Sequence, residues 1–282
     1  MTFLCSQLLC CPHDKLPLTE QGKSLRCEQS HSFDIARQGY VNLLGVGDKR
    51  SRDPGDSKAM VAARRAFLDA GYYQPLATRF ASIVLGNVKD GQVMLDAGCG
   101  DGYYLAKLRD LALARGRPGP DIMGYDISKW AVQAAAGRFD GCWFVASNRR
   151  IPLARGVHMV TSLFGFPDYT GFRNVLLPGG LVLELSAGPD HLVEMRELLY
   201  PELKPYRQPA WTRAEAAGFQ LVETIPFKFQ SELPDRDAVE NLLIMTPHMY
   251  RAPAAGKERL RALQGLRITV DVRFDLLSLT EG

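Results

Sequence analysis

One stretch of the sequence constrains the fold more than any other. It is an apolar run, Val93-Met94-Leu95, that ends at Asp96 and leads into Gly98, Gly100 and Gly102, with apolar residues at helical spacing from position 103 onward. A strand, a glycine turn and a helix in this order form the ligand-binding entry of a doubly wound sheet, because glycine lets the backbone approach a ligand closely. The spacing differs from the G-x-G-x-x-G of dinucleotide enzymes. The Asp96 carboxylate favours a cationic ligand over a phosphate.

A second acid ends the next predicted strand. Residues 122–127 form an apolar run that reaches Asp126, 30 residues after Asp96. A carboxylate at this place accepts hydrogen bonds from ribose hydroxyls. Apolar or alternating runs predict the remaining strands, at residues 143–147, 157–163, 181–185, 219–227 and 267–275.

The stretch from Val93 to Tyr104 resembles motif I of the class I methyltransferases. The resemblance implies an α/β fold class, with a class I methyltransferase Rossmann-like seven-stranded sheet, and S-adenosylmethionine as cofactor. The sulfonium and ammonium charges of that molecule match the demand for a cation. The same resemblance places the adenine beside the turn that begins at Ser147.

The basic character of the chain is concentrated near its beginning. The composition is that of an ordinary globular protein, with 282 residues, a net charge of +3, 46% hydrophobic and 23% charged residues. Residues 23–65, however, carry nine lysines and arginines against five acidic residues. Such side chains suit phosphate contacts, and the candidates are Arg37, Lys49, Arg50, Arg52, Arg64 and Arg65. The alternative is a solvated loop followed by an ordinary amphipathic helix face.

The cysteines indicate a reducing compartment. Four of the six lie in the first 27 residues, which is typical of a metal-binding appendage and not of a secreted disulfide scaffold. No apolar run approaches membrane-spanning length, and the first ten residues lack the basic segment of a signal peptide. We expect a cytoplasmic protein.

The same appendage contains a candidate zinc site. Cys27-x3-His31 supplies two ligands, and Cys11 with Asp14 has the spacing of a knuckle in which a carboxylate replaces the second thiolate. His13, Cys10 or Cys5 are alternative ligands for the first half. The other interpretation is a small β-ribbon without metal, in which buried cysteines act as hydrophobic side chains.

Longer matches extend the resemblance. The runs His31-Ser32-Phe33-Asp34, Gly39–Leu44, Lys49–Ser57 and Ala63–Pro75, continued by Gly188–Leu192 and Met245–His248, resemble the RlmA family of 23S rRNA guanine-N1 methyltransferases. The match is closest to the Gram-negative type, which modifies one guanine of a hairpin loop, whereas the Gram-positive type modifies a neighbouring guanine.

The RlmA resemblance implies a domain organisation and partners. Residues 1–45 would form a zinc-binding RNA-recognition domain, residues 46–75 a basic linker and helix, and residues 76–282 the methyltransferase domain. The six basic candidates would contact RNA, the partner would be a 23S rRNA hairpin, and the protein would form homodimers. The family's zinc ligands map to Cys11, Asp14, Cys27 and His31.

The resemblance also completes the cofactor site. Tyr73 and His191 are carried over by position and join the residues of the glycine turn and the strand ends. The cofactor-binding set is Tyr73, Asp96, Gly98, Gly100, Asp101, Gly102, Tyr104, Asp126, Ile127, Ser147 and His191.

The sequence says less about the residues that would contact the methyl acceptor. Methylation of guanine N1 requires loss of the N1 proton, and no residue is assigned as the proton acceptor. Phe164, Phe166 and Trp143 are candidates for stacking on the base, although packing in the core or in a lid is the more common fate of such aromatic side chains. Two alternative functions are a small-molecule methyltransferase and a non-catalytic RNA-binding protein with a vestigial cofactor fold.

Overall fold

The computed structural model describes residues 6–45, 47, 53–207 and 210–280. Its strands are β1 (Thr19–Gln21), β2 (Ser24–Arg26), β3 (Ser32–Asp34), β4 (Tyr40–Asn42), β5 (Val93–Ala97), β6 (Asp121–Asp126), β7 (Cys142–Val145), β8 (Val157–Leu163), β9 (Leu176–Ala187), β10 (Phe219–Leu233) and β11 (Leu266–Leu279). Its α-helices are α1 (Lys58–Asp69), α2 (Gln74–Asn87), α3 (Tyr103–Ala114), α4 (Lys129–Ala136), α5 (Tyr169–Val175), α6 (Val193–Leu199), α7 (Thr212–Ala216), α8 (Arg236–Met245), α9 (His248–Arg251) and α10 (Ala254–Arg261). None of these helices is both long and apolar enough to cross a membrane.

A mostly parallel sheet forms the centre of the molecule. The strand order among the described residues is β10-β11-β9-β8-β5-β6-β7-β4, and the two strands at the β10 end are antiparallel to their neighbours. Strand β5 lies in the middle of the sheet with four of its five residues buried, as expected for a parallel strand covered on both faces. The α/β class I methyltransferase fold predicted from the sequence is therefore confirmed.

The predicted count of seven strands was wrong by one. All seven predicted strands are present, and β4 adds an eighth by pairing in parallel with β7, Val41 lying opposite Phe144. We had expected this segment to belong to the N-terminal appendage. It joins the large sheet because β7 would otherwise leave an open edge, and because Val41 is fully buried there.

The N-terminal residues form a second, smaller sheet. Strands β1, β2 and β3 pair antiparallel, and a bridge between Ile35 and Val41 connects their end to β4. Leu9, Cys11 and Leu25 of this region belong to the same buried cluster as residues of the large sheet. The appendage is thus packed on one face of the sheet, together with α5 and α7, while the other face is covered by α1, α2, α3, α6 and α8.

Trp143 is a core residue and not a stacking surface for a base. Its side chain is 1% exposed, and its ring fills the space in front of Gly124 on the neighbouring strand. A Cβ at position 124 would lie 2.6 Å from Cζ3 of the indole. Of the two interpretations of Trp143, packing in the core is therefore confirmed and stacking on a base is wrong, because the strand register turns the indole into the core.

Gly124 provides a test of this packing. We expect Gly124→Ala to lower the free energy of unfolding by about 1–3 kcal/mol, since the new methyl group must displace the buried indole. Gly86→Ala is the matched control, because its Cβ in helix α2 would meet no atom within 4 Å. The control should raise stability by about 0.4–1 kcal/mol. Urea unfolding followed by circular dichroism measures both, and equal midpoints for the two variants would contradict the packing described.

Candidate active site

The glycine turn after β5 has the backbone geometry that only glycine adopts easily. Gly98, Gly100 and Gly102 have φ values of +88°, +55° and +76°, in the left-handed region. The amides of Gly98 and Cys99 both donate to the Tyr125 carbonyl at 2.9 Å. These bonds hold the turn against the end of β6, where the second acidic residue lies.

A large cavity opens at the carboxyl ends of the parallel strands. Its volume is about 1190 Å³, larger than the roughly 300–1,000 Å³ of a usual small-molecule pocket, so it has room for a cofactor and an acceptor together. Ten of the eleven predicted cofactor residues line it: Tyr73, Asp96, Gly98, Gly100, Asp101, Tyr104, Asp126, Ile127, Ser147 and His191. Gly102 does not line it. That glycine is instead the N-cap of α3, close to Ala135.

Two of the carboxylates that line this cavity lie near the ends of β5 and β6. Asp96 is 2% exposed and accepts a hydrogen bond from the Thr161 hydroxyl at 2.6 Å. Asp126 accepts the amides of Ser128 at 2.8 Å and Gly100 at 3.1 Å. Burial raises the pKa of Asp96 to about 7, although the Thr161 hydrogen bond lowers it and the Asp126 charge raises it further. Burial also raises the pKa of Asp126. A bound cation would therefore stabilise both ionised groups.

Asp101 supports the turn instead of facing a ligand freely. It is 2% exposed and forms an ion pair with Arg138, which also donates to the Asp101 carbonyl at 2.8 Å. Arg138 in turn reaches Asp69 of α1 at 2.8 Å. This chain of contacts joins the glycine turn to the end of α4 and to the helix that precedes the sheet.

Aromatic side chains make up the wall opposite the acids. Tyr73 is 3% exposed, and its ring meets Phe67 edge-on at 5.1 Å. His191 lies 6.5 Å from Tyr73 and stacks on Phe164 at 5.5 Å, measured between ring centroids. Burial lowers the pKa of His191 to about 4, with Arg196 and His248 adding to the effect. The imidazole is therefore neutral at pH 7, and its buried Nδ1 has no hydrogen-bond partner among the described residues.

Several cavity residues were missed by sequence reasoning. His248, Arg213, Arg149 and Asn148 all line the cavity. The Nδ1 atom of His248 lies 2.9 Å from the Tyr200 hydroxyl. His248 belongs to a run that resembles the RlmA family, Asn148 and Arg149 lie in the turn that is predicted to border the adenine, and Arg213 lies in no motif. Nothing local in the sequence indicates that these loops meet.

The predicted basic surface is only partly present in the described residues. Arg64 reaches the cavity, where it pairs with Asp56 and donates to the Met245 carbonyl at 3.3 Å. Arg65 pairs with Asp69 at 3.4 Å along α1. Arg37 is exposed in the N-terminal appendage. Lys49, Arg50 and Arg52 lie outside the described residues.

The candidate metal ligands converge. The ligand atoms of Cys11, Asp14, Cys27 and His31 all lie within 4.8 Å of one another. His31 Nδ1 is 2.9 Å from Asp14 Oδ2, 3.4 Å from Cys27 Sγ and 3.5 Å from Cys11 Sγ. Ligands on a tetrahedral zinc ion, at bond lengths of about 2.0–2.3 Å, are about 3.3–3.8 Å apart. The four side chains therefore fit a zinc ion with small adjustments. Cys10 points elsewhere, with its thiol toward the Leu8 carbonyl, and Cys5 lies outside the described residues.

Asp14 is held in place within this cluster. Its Oδ1 accepts the Leu16 amide at 3.0 Å, and its Oδ2 faces Cys27 Sγ at 3.2 Å. Desolvation opposes ionisation, but these hydrogen bonds together keep the pKa of Asp14 well below its usual value. The carboxylate is thus ionised, as a metal ligand must be.

The chain is similar to known proteins in its N-terminal region and over most of its length. Residues 9–52 match the family model of the RlmA N-terminal zinc ribbon. The chain is 32% identical over 273 residues to the 23S rRNA (guanine(748)-N(1))-methyltransferase of Streptomyces fradiae, covering 94% of each chain. It is 31% identical to YxjB of Bacillus subtilis (strain 168), provisionally named a 23S rRNA (guanine-N(1)-)-methyltransferase, over 89% of each chain. A Haemonchus contortus phosphoethanolamine N-methyltransferase 2 structure is 16% identical with a TM-score of 0.44, covering 80% of this chain and 58% of that one.

The fold and the acid-lined cavity define a Rossmann-like class I methyltransferase with an N-terminal zinc ribbon. Within that class, the chain belongs to the RlmA family of 23S rRNA guanine-N1 methyltransferases.

The buried Asp96 carboxyl makes stability depend on pH. Its pKa rises from 3.8 unfolded to about 7 folded, so its burial lowers stability as pH increases from about 4 to 7 and has no effect below that window. We expect Asp96→Asn to stabilise the ligand-free protein at pH 8 by at most about 4 kcal/mol, and to leave it unchanged at pH 4. Urea unfolding at the two pH values measures this. Asp121→Asn, at the exposed start of β6, is the control, and a gain of equal size at both pH values for Asp96→Asn would contradict the assignment.

Proposed function

We propose that the protein uses S-adenosylmethionine to methylate N1 of a hairpin-loop guanine in 23S rRNA. The observation that carries this proposal is the identity of 32% to a named 23S rRNA guanine-N1 methyltransferase across 94% of both chains. The paired acids of the cavity support the cofactor, since they favour a cation. The same identity favours rRNA over a small-molecule acceptor.

Different cavity residues would contact different parts of the cofactor. S-adenosylmethionine supplies a methyl group on a positively charged sulfur. Asp126 would accept the ribose hydroxyls, as an acid at the end of the second strand does in nucleotide-binding sheets. Asp96 would face the cationic portion, while the amides and bare Cα atoms of the Gly98–Gly102 turn let the backbone approach. Ser147 would border the adenine, and Tyr73 with His191 would close the opposite wall.

Catalysis would consist mainly of positioning. The chain must hold guanine N1 in line with the donated methyl, and orientation of this kind contributes roughly 7–11 kcal/mol. A hairpin loop lowers the cost of turning the base out, because its bases are already unstacked. The N1–methyl bond would form as the methyl–sulfur bond breaks, which leaves the neutral thioether S-adenosylhomocysteine. The N1 proton would pass to solvent water, so the neutral methylated base would be the product.

RNA recognition would be shared along the chain. We assign residues 1–45 to a zinc-binding RNA-recognition domain, residues 46–75 to a basic linker and helix, and residues 76–282 to the methyltransferase domain. Arg37, Lys49, Arg50, Arg52, Arg64 and Arg65 would supply phosphate contacts. The concentration of basic residues between positions 23 and 65 supports this assignment. We further propose a cytoplasmic homodimer, in line with the family resemblance.

Two neighbouring guanines of the hairpin loop are candidates for the target. The sequence resemblance predicts the Gram-negative type, and the named relatives do not confirm it. The relative whose name states a position, from Streptomyces fradiae, acts on guanine 748. The primer-extension experiment below distinguishes the two neighbouring guanines, because the stop falls at a different nucleotide for each.

The purified protein should methylate an unmodified 23S rRNA hairpin in the presence of S-adenosylmethionine. Reverse transcription should then stop at one loop guanine, since N1 methylation blocks base pairing. Asp126→Asn should weaken cofactor binding in calorimetry and reduce the stop, whereas Asp121→Asn, at the other end of the same strand, should change neither. If the protein binds the cofactor but produces no stop on rRNA, the proposed rRNA acceptor is wrong. Methylation of a small molecule alone would support the alternative, a small-molecule methyltransferase.

We also propose that Cys11, Asp14, Cys27 and His31 hold a structural zinc ion. The ion would tie the turn at residues 11–14 to the turn between β2 and β3, which otherwise meet through few backbone bonds. The convergence of the four ligand atoms and the match to a zinc-ribbon family model support this.

The substitution of a carboxylate for a thiolate can be tested directly. Asp14→Cys should retain zinc more strongly against a chelator, because thiolates are the preferred ligands of such sites. Asp14→Ala should lose zinc by more than about tenfold in affinity, the loss that even an outer-shell change causes. Metal content by mass spectrometry and competition with a colorimetric chelator rank the three proteins by how strongly they retain zinc. Equal zinc retention in all three proteins would show that Asp14 is not a ligand.

A further inference from the structure

The most exposed aromatic ring of the described residues lies at the mouth of the cavity. Within the part of the chain that the structure describes, seven large hydrophobic side chains are exposed: Leu113, Phe164, Phe166, Tyr206, Leu221, Val222 and Tyr250. Only Phe164 and Phe166 among them also line the cavity. Phe164 is engaged, since it stacks on His191. The Phe166 ring is 84% exposed and has no ring partner within the described chain.

The backbone beneath Phe166 is fixed, although its ring is free. The amide nitrogen of Asn148 donates to the Phe166 carbonyl at 2.7 Å, and the Asn148 oxygen accepts the hydroxyl of buried Tyr125 at 2.8 Å. Phe164 has a φ of +54°, an uncommon conformation for a bulky side chain. At Gly165 a Cβ would lie 2.8 Å from the Ser162 hydroxyl. The loop is therefore held in one path that turns Phe166 outward.

Two exposed arginines, Arg149 and Arg213, line the same cavity as the ring. No carboxylate of the described residues lies within ion-pair distance of either guanidinium. Arg213 donates only to the Pro167 carbonyl, at 3.4 Å, next to Phe166. The cavity is also lined by Asp168, whose carboxylate caps α5 by accepting the Gly171 amide at 3.3 Å.

We propose that Phe166 is a stacking platform for an unpaired base adjacent to the target guanine, with Arg149 and Arg213 contacting the phosphates beside that base. This inference rests on the proposed function and names how the site would hold its RNA. An exposed aromatic face together with cationic side chains is the arrangement that binds single-stranded nucleic acid. The exposed guanidinium groups fit a polyanion, whereas Asp96 and Asp126 fit a cation. A protein partner is the other outcome considered below.

Binding of a fluorescent rRNA hairpin tests the platform without turnover. We expect Phe166→Ala to weaken binding of the hairpin about five- to 150-fold, the range that one base–aromatic stack contributes. Cofactor binding, measured by calorimetry, should be unchanged. Phe166→Tyr should restore affinity, and Phe166→Leu should restore little, because leucine keeps apolar area but has no π face. Leu113→Ala, a similarly exposed residue on α3 that does not line the cavity, is the matched control and should bind as the parent does.

An abasic series identifies the base that stacks. Hairpins with a single abasic site on either side of the target guanine are compared on parent and Phe166→Ala proteins. One of these sites should weaken binding to the parent but cause no further loss in Phe166→Ala, since the stacked pair is already broken. Arg149→Ala and Arg213→Ala should each reduce the slope of log K against log salt by about 0.7. Phe166→Ala should leave that slope unchanged.

The possible failures are distinguishable. If the parent protein neither binds nor methylates the hairpin, the proposed function fails. If the parent methylates the hairpin and Phe166→Ala binds it equally well, with additive abasic losses, the stacking platform is wrong. Phe166→Ala that binds RNA normally but loses a protein partner in cross-linking would assign the ring to that partner instead.

Discussion

The hydrogen bond from the Gly100 amide to the Asp126 carboxylate, 3.1 Å long, links the two elements on which the site depends. It joins the turn after β5 to the end of β6, and it forms only because the turn takes left-handed backbone angles. Asp96 is fixed separately by Thr161 of β8. Three adjacent strands thereby present two acids to one cavity. The remaining helices and loops are placed around that edge of the sheet.

Burying two carboxylates in one cavity has a cost that a ligand can remove. Each acid is partly satisfied by hydrogen bonds, but desolvation still raises the pKa of both. An ionisable group whose pKa is shifted by its surroundings is typical of a binding site, where a ligand completes the interactions of that group. The ligand-free protein therefore gives up some stability at neutral pH in exchange for an affinity for cations. Asp101 differs, because Arg138 already neutralises it.

The elements near β5 were predictable because their signals are local. The apolar run, Asp96 and the three glycines lie within ten residues, and the same holds for the pair Cys27 and His31. Strand β4 was not predictable in its place, since three residues carry little pattern and the pairing of Val41 with Phe144 spans about a hundred positions. The sequence left two interpretations of Trp143 open for a related reason. Its orientation is set by the Gly124 gap on the next strand, which a single sequence does not display.

The arrangement of the residues at the mouth of the cavity could not be predicted from the sequence either. Phe166, Asn148 and Arg213 come from three separate segments, and only the folded chain brings them together. The exposed arginines of these segments and the acids near the strand ends suit ligands of opposite sign, a polyanion and a cation. Under the proposed function, the glycine turn would therefore define the methyl donor, and the loops around it would determine which acceptor can approach.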